Sequence, residues 1–344
     1  MTKTHSDTGF SLIELTIATA LLLIVSGIVT NALMQMTKAQ TTIWNRTEMH
    51  SGIRGATELL QQEVGQAGRI ALPSTVTLAT AINDVGSGIS PEARATCDPG
   101  TPLTGAEVVG LNSSDVTVSP VAGIFATAGT PHAYMLLTTL DGNNQESFVV
   151  AAKNAGAGTI TACFQKPHAA GTVVAPMGAF ANGIIPDTGI VNPSDANVLK
   201  MFGDINGDGK MVYVEYTCDH GGSHNLYRNV MAFDAATKPP LTDAQILLSN
   251  IVDNPDGSDC FKYQRATVMV QGTPFTFILD VAITLTVQTQ LKDPVTQQFQ
   301  KETKALLNVS PRNVFSAFSL AGIGYTDRIQ STPVSVTTLL APLP

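Results

Sequence analysis

Between Phe10 and Met34 the sequence carries a single charge, Glu14, in a run dominated by Leu, Ile, Val and Ala. At a rise of ~1.5 Å per residue, a helix of that length crosses the ~30 Å hydrocarbon core of a bilayer. No other segment limits the fold so strongly, because an apolar helix this long must lie in lipid or against other helices. A secretory signal would place a small-residue cleavage site after a shorter apolar stretch. Here the polar stretch MTKTHSDTG stops before the apolar run, so cleavage at the junction would leave the helix on the mature chain. An ionised carboxylate in a membrane helix costs at least a few kcal/mol, which makes Glu14 a functional candidate. The plain alternative is a carboxylate near the helix end that reaches the headgroups.

The helix is expected to continue beyond the membrane. Ile53, Ala56, Leu60, Val64 and Ala67 recur at steps of three and four, interleaved with Arg54, Glu58, Gln61, Gln62 and Glu63. Gly65 and Gly68 weaken its end and Pro73 closes it. Residues 10–68 then form one spine of ~88 Å, transmembrane over 10–34 and amphipathic after that, with its apolar stripe packed on a sheet.

After residue 70 Thr, Val, Gly and Pro dominate. Short strand-like runs follow, among them AEVVGL, DVTVSPV, AYMLLTTL, SFVVAAK, MVYVEY, ILLSNIV and the long TFILDVAITLTVQTQL. Asp141-Gly142-Asn143-Asn144 separates two of them as a hairpin turn. The expected class is α+β, a long N-terminal helix packed on a mainly antiparallel β-rich head spanning residues 69–316. From about Ala317 the pattern loses regularity, giving a C-terminal tail over 317–344, and the closing STPVSVTTLLAPLP is expected to be a loose tail or an edge strand.

A net charge of −8 works against nucleic-acid binding, which needs a dense cationic surface. Cys97, Cys163, Cys218 and Cys260 form neither a CxxC pair nor a zinc-like cluster. Their even count and wide spacing favour two disulfides in an oxidising compartment. Of the three connectivities, the sequential one is expected, Cys97–Cys163 and Cys218–Cys260. His220 and His224, near Cys218, read as parts of a glycine-rich loop rather than as metal ligands.

Residues 204–215, DINGDGKMVYVE, match a twelve-position calcium-loop pattern without a gap. Asp204, Asn206 and Asp208 supply short oxygen donors on alternate residues of a tight coil. Gly209 permits the sharp turn, Lys210 offers its backbone carbonyl, and Glu215 can bind one Ca²⁺ with both oxygens. The sequence after Gly209 alternates like a strand, so a paired helix–loop–helix is not expected. The plain alternative is a polar hairpin turn.

Gly9-Phe10-Ser11-Leu12-Ile13-Glu14-Leu15 resembles the type IV pilin signature. The resemblance implies that a prepilin peptidase removes the leader 1–9 by cutting after Gly9 and methylates the new amine of Phe10. It implies further that Glu14 neutralises the N-terminal amine of a neighbouring subunit in a filament. Many major pilins carry a helix-breaking proline further along; this chain has Asn31 there. Within that superfamily, LLQQEVGQAGR and the later order of YVEY, NLYR, LLSNIV, FKYQ and SPRN resemble PilW-like minor pilins and related pseudopilins.

The implied partners are other pilin subunits through the N-terminal helix, the peptidase, and inner-membrane lipid before assembly. The implied setting is an inner-membrane protein with a periplasmic head, then an extracellular filament. The expected role is a minor pilin that primes assembly or stands near the tip. Alternatives are a pilus-borne adhesin or receptor and a type II secretion pseudopilin. No HExxH, GxSxG, P-loop or Rossmann glycine pattern points to an enzyme.

Overall fold

The computed structural model describes residues 11–82, 114–126, 135–162, 164, 166–270, 273–325, 328–330 and 332–342. Gly9, Phe10, Cys97, Cys163 and the AEVVGL run lie outside the described residues. The chain divides into two compact units, Met1–Gly52 with Gln288–Glu302, and Ile53–Val287 with Thr303–Pro344.

Helix α1 (Leu12–Gln66) is uninterrupted because no proline occurs before Pro73. It is long and apolar enough to cross a membrane, and every side chain from Ser11 to Gln40 is exposed. The hydroxyls of Thr16, Thr19 and Thr37 donate to carbonyls three or four residues back. These hydroxyls are thereby satisfied inside the helix. The later stripe behaves oppositely: Ile53, Ala56, Leu60, Val64 and Ala67 are all buried. Each large member contributes ~1.5–3 kcal/mol through removal from water.

Six strands form a closed antiparallel barrel in the order β1-β2-β5-β4-β3-β6: β1 (Val76–Leu78), β2 (Ser114–Ser119), β3 (Met135–Thr139), β4 (Ser147–Asn154), β5 (Thr159–Ala162) and β6 (Val173–Pro176). Alternate residues fill it, among them Leu78, Val116, Leu137, Phe148, Ile160 and Val174. The hairpin at Asp141–Asn144 is present: β3 and β4 pair from Met135↔Val150 to Thr138↔Ser147.

A second sheet, β11-β10-β9-β8, consists of β8 (Val198–Gly203), β9 (Val212–Asp219), β10 (Asn225–Ala232) and β11 (Ile246–Ser249). It follows β7 (Ala179–Phe180). In a third, β12 (Ile251–Val252) and β13 (Phe261–Val270) flank the long β14 (Thr273–Gln288), which β15 (Lys301–Val309) also joins. The Cys218–Cys260 disulfide, with Cα atoms 6.5 Å apart, ties β9 to the start of β13. Closing a loop of this size adds ~4 kcal/mol in the chain-entropy account.

The end of the chain corrects the expectation of a loose tail or edge strand. Helix α2 (Arg312–Gly322), β16 (Ile329–Gln330) and helix α3 (Val334–Leu339) are all packed. Val336, Leu339 and Leu340 are buried with Phe180, Phe202 and Tyr213. VSVTTL is rich in β-branched residues and reads as strand, but its apolar residues at spacings of three and four find a pocket only as a helix. The Gln330 amide behaves as an extra peptide group. It accepts from Leu136 N–H at 2.9 Å and donates to the carbonyls of Leu136 and Met177 at 2.9 and 2.7 Å.

Where α1 ends, backbone meets backbone. Gly68 has φ +76°, and its N–H donates to the Phe202 carbonyl at 2.9 Å while its carbonyl accepts from Phe180 N–H at 3.0 Å. A Cβ on Gly68 would stand 2.6 Å from Val314 Cγ2, and one on Gly183 would stand 2.2 Å from the Gly68 Cα.

Candidate functional site

The amino end of α1 is polar only where its backbone needs it. Ser11 N–H, which has no partner within the helix, donates to Glu14 Oε2 at 3.0 Å. Glu14 thus sits on the first turn, with its carboxylate at the positive end of the helix dipole.

The calcium-like segment is the connection of the β8–β9 hairpin, closed by the pair Gly203↔Val212. Gly207 and Gly209 have φ of +71° and +81°, the left-handed conformations that let the loop fold back in so few residues. Asp204 is buried and anchored: its N–H donates to the Arg69 carbonyl at 2.8 Å, and its Oδ1 accepts from Gly209 N–H at 3.3 Å. Its other oxygen, Oδ2, is buried without a hydrogen bond, with Arg69 Nε 3.5 Å away. Asn206, Asp208 and Lys210 are exposed on the same turn, and Asp208 Oδ1 accepts from Lys210 N–H at 3.0 Å.

Glu215 has a different environment. It lies three residues into β9, ~10 Å along the strand from Val212. Its Oε2 accepts from Tyr213 Oη and from Lys238 Nζ, both at 2.7 Å. The Glu215 and Lys238 side chains are both buried. The structure therefore gathers Asp204, Asn206, Asp208 and Lys210 on one turn, and gives Glu215 a cation of its own.

This buried cluster, which the sequence reading did not anticipate, explains how the end of the chain is held. Lys238 Nζ also donates to the Ala341 carbonyl at 2.7 Å. Lys200, opposite Glu215 in the sheet, donates to the carbonyls of Asn192 and Leu340 at 3.0 and 3.2 Å. Burial holds the Lys200 ammonium below the ordinary lysine range, against the pull of Glu215.

A second cluster joins α1 to the sheet. Glu63, counted among the polar residues of the spine, is buried. Its carboxylate accepts from Arg228 Nε at 3.1 Å to each oxygen, from Arg228 Nη2, and from Tyr216 Oη. Burial opposes the Arg228 charge, but the hydrogen bonds and charge of Glu63 outweigh it and raise the guanidinium pKa. Burial, reinforced by Glu63, pushes the Tyr216 phenol up.

A third cluster joins the β3–β4 turn to the segment before β6. His168 Nδ1 lies 2.6 Å from Asp141 Oδ2, and Nε2 lies 2.7 Å from Glu146 Oε1. Burial opposes the Asp141 charge, yet its bond to His168 and the charge there hold it below the usual carboxylate range.

All three clusters join residues distant in sequence, so no local pattern announces them. Comparison of the chain with family models, with curated proteins and with solved structures finds no match.

Proposed function

We propose that this chain is a subunit of a type IV pilin-like filament, held in the inner membrane by α1 before assembly and acting as a minor pilin with a large extracytoplasmic head. The observation that carries the reading is the register of Gly9, Phe10 and Glu14 at the mouth of α1. Supporting it is a helix whose first half is exposed throughout and mostly apolar, while its second half supplies core residues to the head. So large an apolar surface needs lipid or the helices of other subunits. In the filament, Glu14 pairs with the N-terminal amine of a neighbouring subunit, each charge compensating the other away from water. The pilus-borne adhesin and the secretion pseudopilin remain second readings that share the same anchor.

The loop 204–210 fits a structural Ca²⁺, because the buried Asp204 Oδ2 lacks a hydrogen-bond partner and three short oxygen donors share the turn. Asp204, Asn206, Asp208 and the Lys210 carbonyl would hold the ion, and Glu215 joins only if it gives up Lys238. When bound, the ion supplies the positive charge that lets the loop carboxylates approach one another.

The mass of the purified mature protein tests the family reading. The expected product begins at Phe10 and carries one methyl group. A mature terminus after Ala18 or Ala20 would mean an ordinary secretory signal and overturn it.

A further inference from the structure

The tip of the β14–β15 hairpin belongs to the same compact unit as the first part of α1, and it runs down the helix in register. Glu302 meets His50, Gln300 meets Arg46, and Asp293 interacts with the Thr42 hydroxyl. Moving along the hairpin toward its tip therefore moves along α1 toward its apolar end. The turn at 294–297 reaches one or two residues beyond the level of Thr42. Thr42 stands eight residues, ~12 Å, beyond Met34 at ~1.5 Å per helical residue, so a turn one or two strand residues (~3–7 Å) nearer the span lies ~5–9 Å from Met34. Each headgroup layer is ~5–7 Å thick.

The turn is built rigidly around one carboxylate. Asp293 Oδ1 accepts from the N–H groups of Val295 and Thr296 at 2.8 and 2.9 Å, and Oδ2 accepts from Gln300 Nε2 at 2.6 Å. On this fixed turn Val295 is 74% exposed, a β-branched apolar side chain held out to solvent. Behind it, Lys292 lies 5.7 Å from the centre of the Phe299 ring. The charge balance reverses here. Residues 37–48 and 288–302 carry Lys38, Arg46, Lys292 and Lys301 against Glu48, Asp293 and Glu302, a net positive charge in a chain whose net charge is −8.

We infer that this hairpin tip is a membrane-contacting foot, seated on the phospholipid headgroups of the bilayer from which α1 emerges. Val295 enters the headgroup layer while Lys292 and Lys38 reach anionic phosphates, as amphipathic side chains do at an interface. The inference rests on the membrane-spanning reading of α1. The foot gives the anchored subunit a second contact with the membrane, which it must release on entering a filament.

Trp44 is the sole tryptophan, so tryptophan quenching by brominated lipid tests the foot on the full-length chain. In a Trp44→Phe background, Val295→Trp and Leu23→Trp are reconstituted separately into phosphatidylcholine–phosphatidylglycerol vesicles, with N-acetyltryptophanamide as the aqueous reference. Both variants should lose emission on bromination and emit to the blue of the reference. Lys292→Glu, or omission of phosphatidylglycerol, should lessen the loss for Val295→Trp and leave Leu23→Trp unchanged. Quenching at Leu23→Trp with reference-like emission at Val295→Trp overturns the foot alone. Absence of quenching at both overturns the membrane span and the foot together.

Discussion

Glu63→Ala removes the carboxylate that pairs with Arg228 and accepts from Tyr216. Breaking a buried ion pair from one side destabilises by ~3–5 kcal/mol, since the remaining charge keeps its desolvation penalty. Arg228 still shows 26% of its side chain to solvent, so water restores part of its hydration and the expected loss is ~3 kcal/mol. For a domain of this size each kcal/mol shifts Tm by ~2–4 °C, giving a fall of ~6–12 °C. Thermal unfolding of the full chain in detergent, followed by far-ultraviolet circular dichroism, measures it. Tyr216→Phe removes one hydrogen bond to a charged acceptor and should cost less, ~1.5 kcal/mol. The triple change Glu63→Leu, Arg228→Met and Tyr216→Phe should recover most of the loss, because packed apolar side chains carry neither an uncompensated charge nor an unpaired hydroxyl. A Glu63→Ala protein within ~0.5 kcal/mol of the parent, the range of ordinary surface changes, would refute the reasoning and make the pair a surface ornament.

Asp141 has a depressed pKa in the fold, so its contribution is complete above its unfolded pKa and disappears as pH falls through the folded one. Acid titration of Tm should therefore steepen below the ordinary carboxylate range, and Asp141→Asn should flatten that slope. Gln330→Leu keeps the volume but leaves the Leu136 N–H and carbonyl without their side-chain partner. It should cost ~1–3 kcal/mol and speed hydrogen exchange at the Leu136 amide. Calcium should raise Tm of the parent, by ~2.7 kcal/mol of stabilisation at 100 times the dissociation constant. Asp204→Ala should abolish that response, whereas Glu215→Ala should lower Tm even in chelator by stranding Lys238 in the core. A parent whose Tm ignores millimolar calcium would leave the loop a polar turn.

The apolar run of α1 and the stripe from Ile53 to Ala67 were legible because helix periodicity is a local property. So were the turn at Asp141–Asn144 and the pairing of Cys218 with Cys260. The barrel was not legible, since β1 closes it by pairing Val76 with Val174, and no local signal links residues so far apart. Glu63 misled for the same reason: its polarity reads as solvent-facing until Arg228 and Tyr216 arrive from another sheet. The closing segment misled through propensity, which favoured strand in VSVTTL until tertiary contacts at Val336 and Leu339 overrode it. In the calcium-like loop, spacing located Asp204 on its turn, but Lys238, more than twenty positions on from Glu215, decided what Glu215 does.

The junction of Gly68 and Gly183 bears on how this sequence can drift. Most core positions tolerate exchange in pairs, one side chain shrinking as its neighbour grows, because volume can be traded between them. Here the crowding is between main chains, and a Cβ on Gly183 meets the Gly68 Cα itself, an atom that every amino acid possesses. No second-site change can withdraw it. A randomised library selected for folding should return glycine alone at positions 68 and 183, while Ile53 and Leu60 accept a range of apolar residues. In such a selection the most invariant positions of the head would be ones that contribute no side chain.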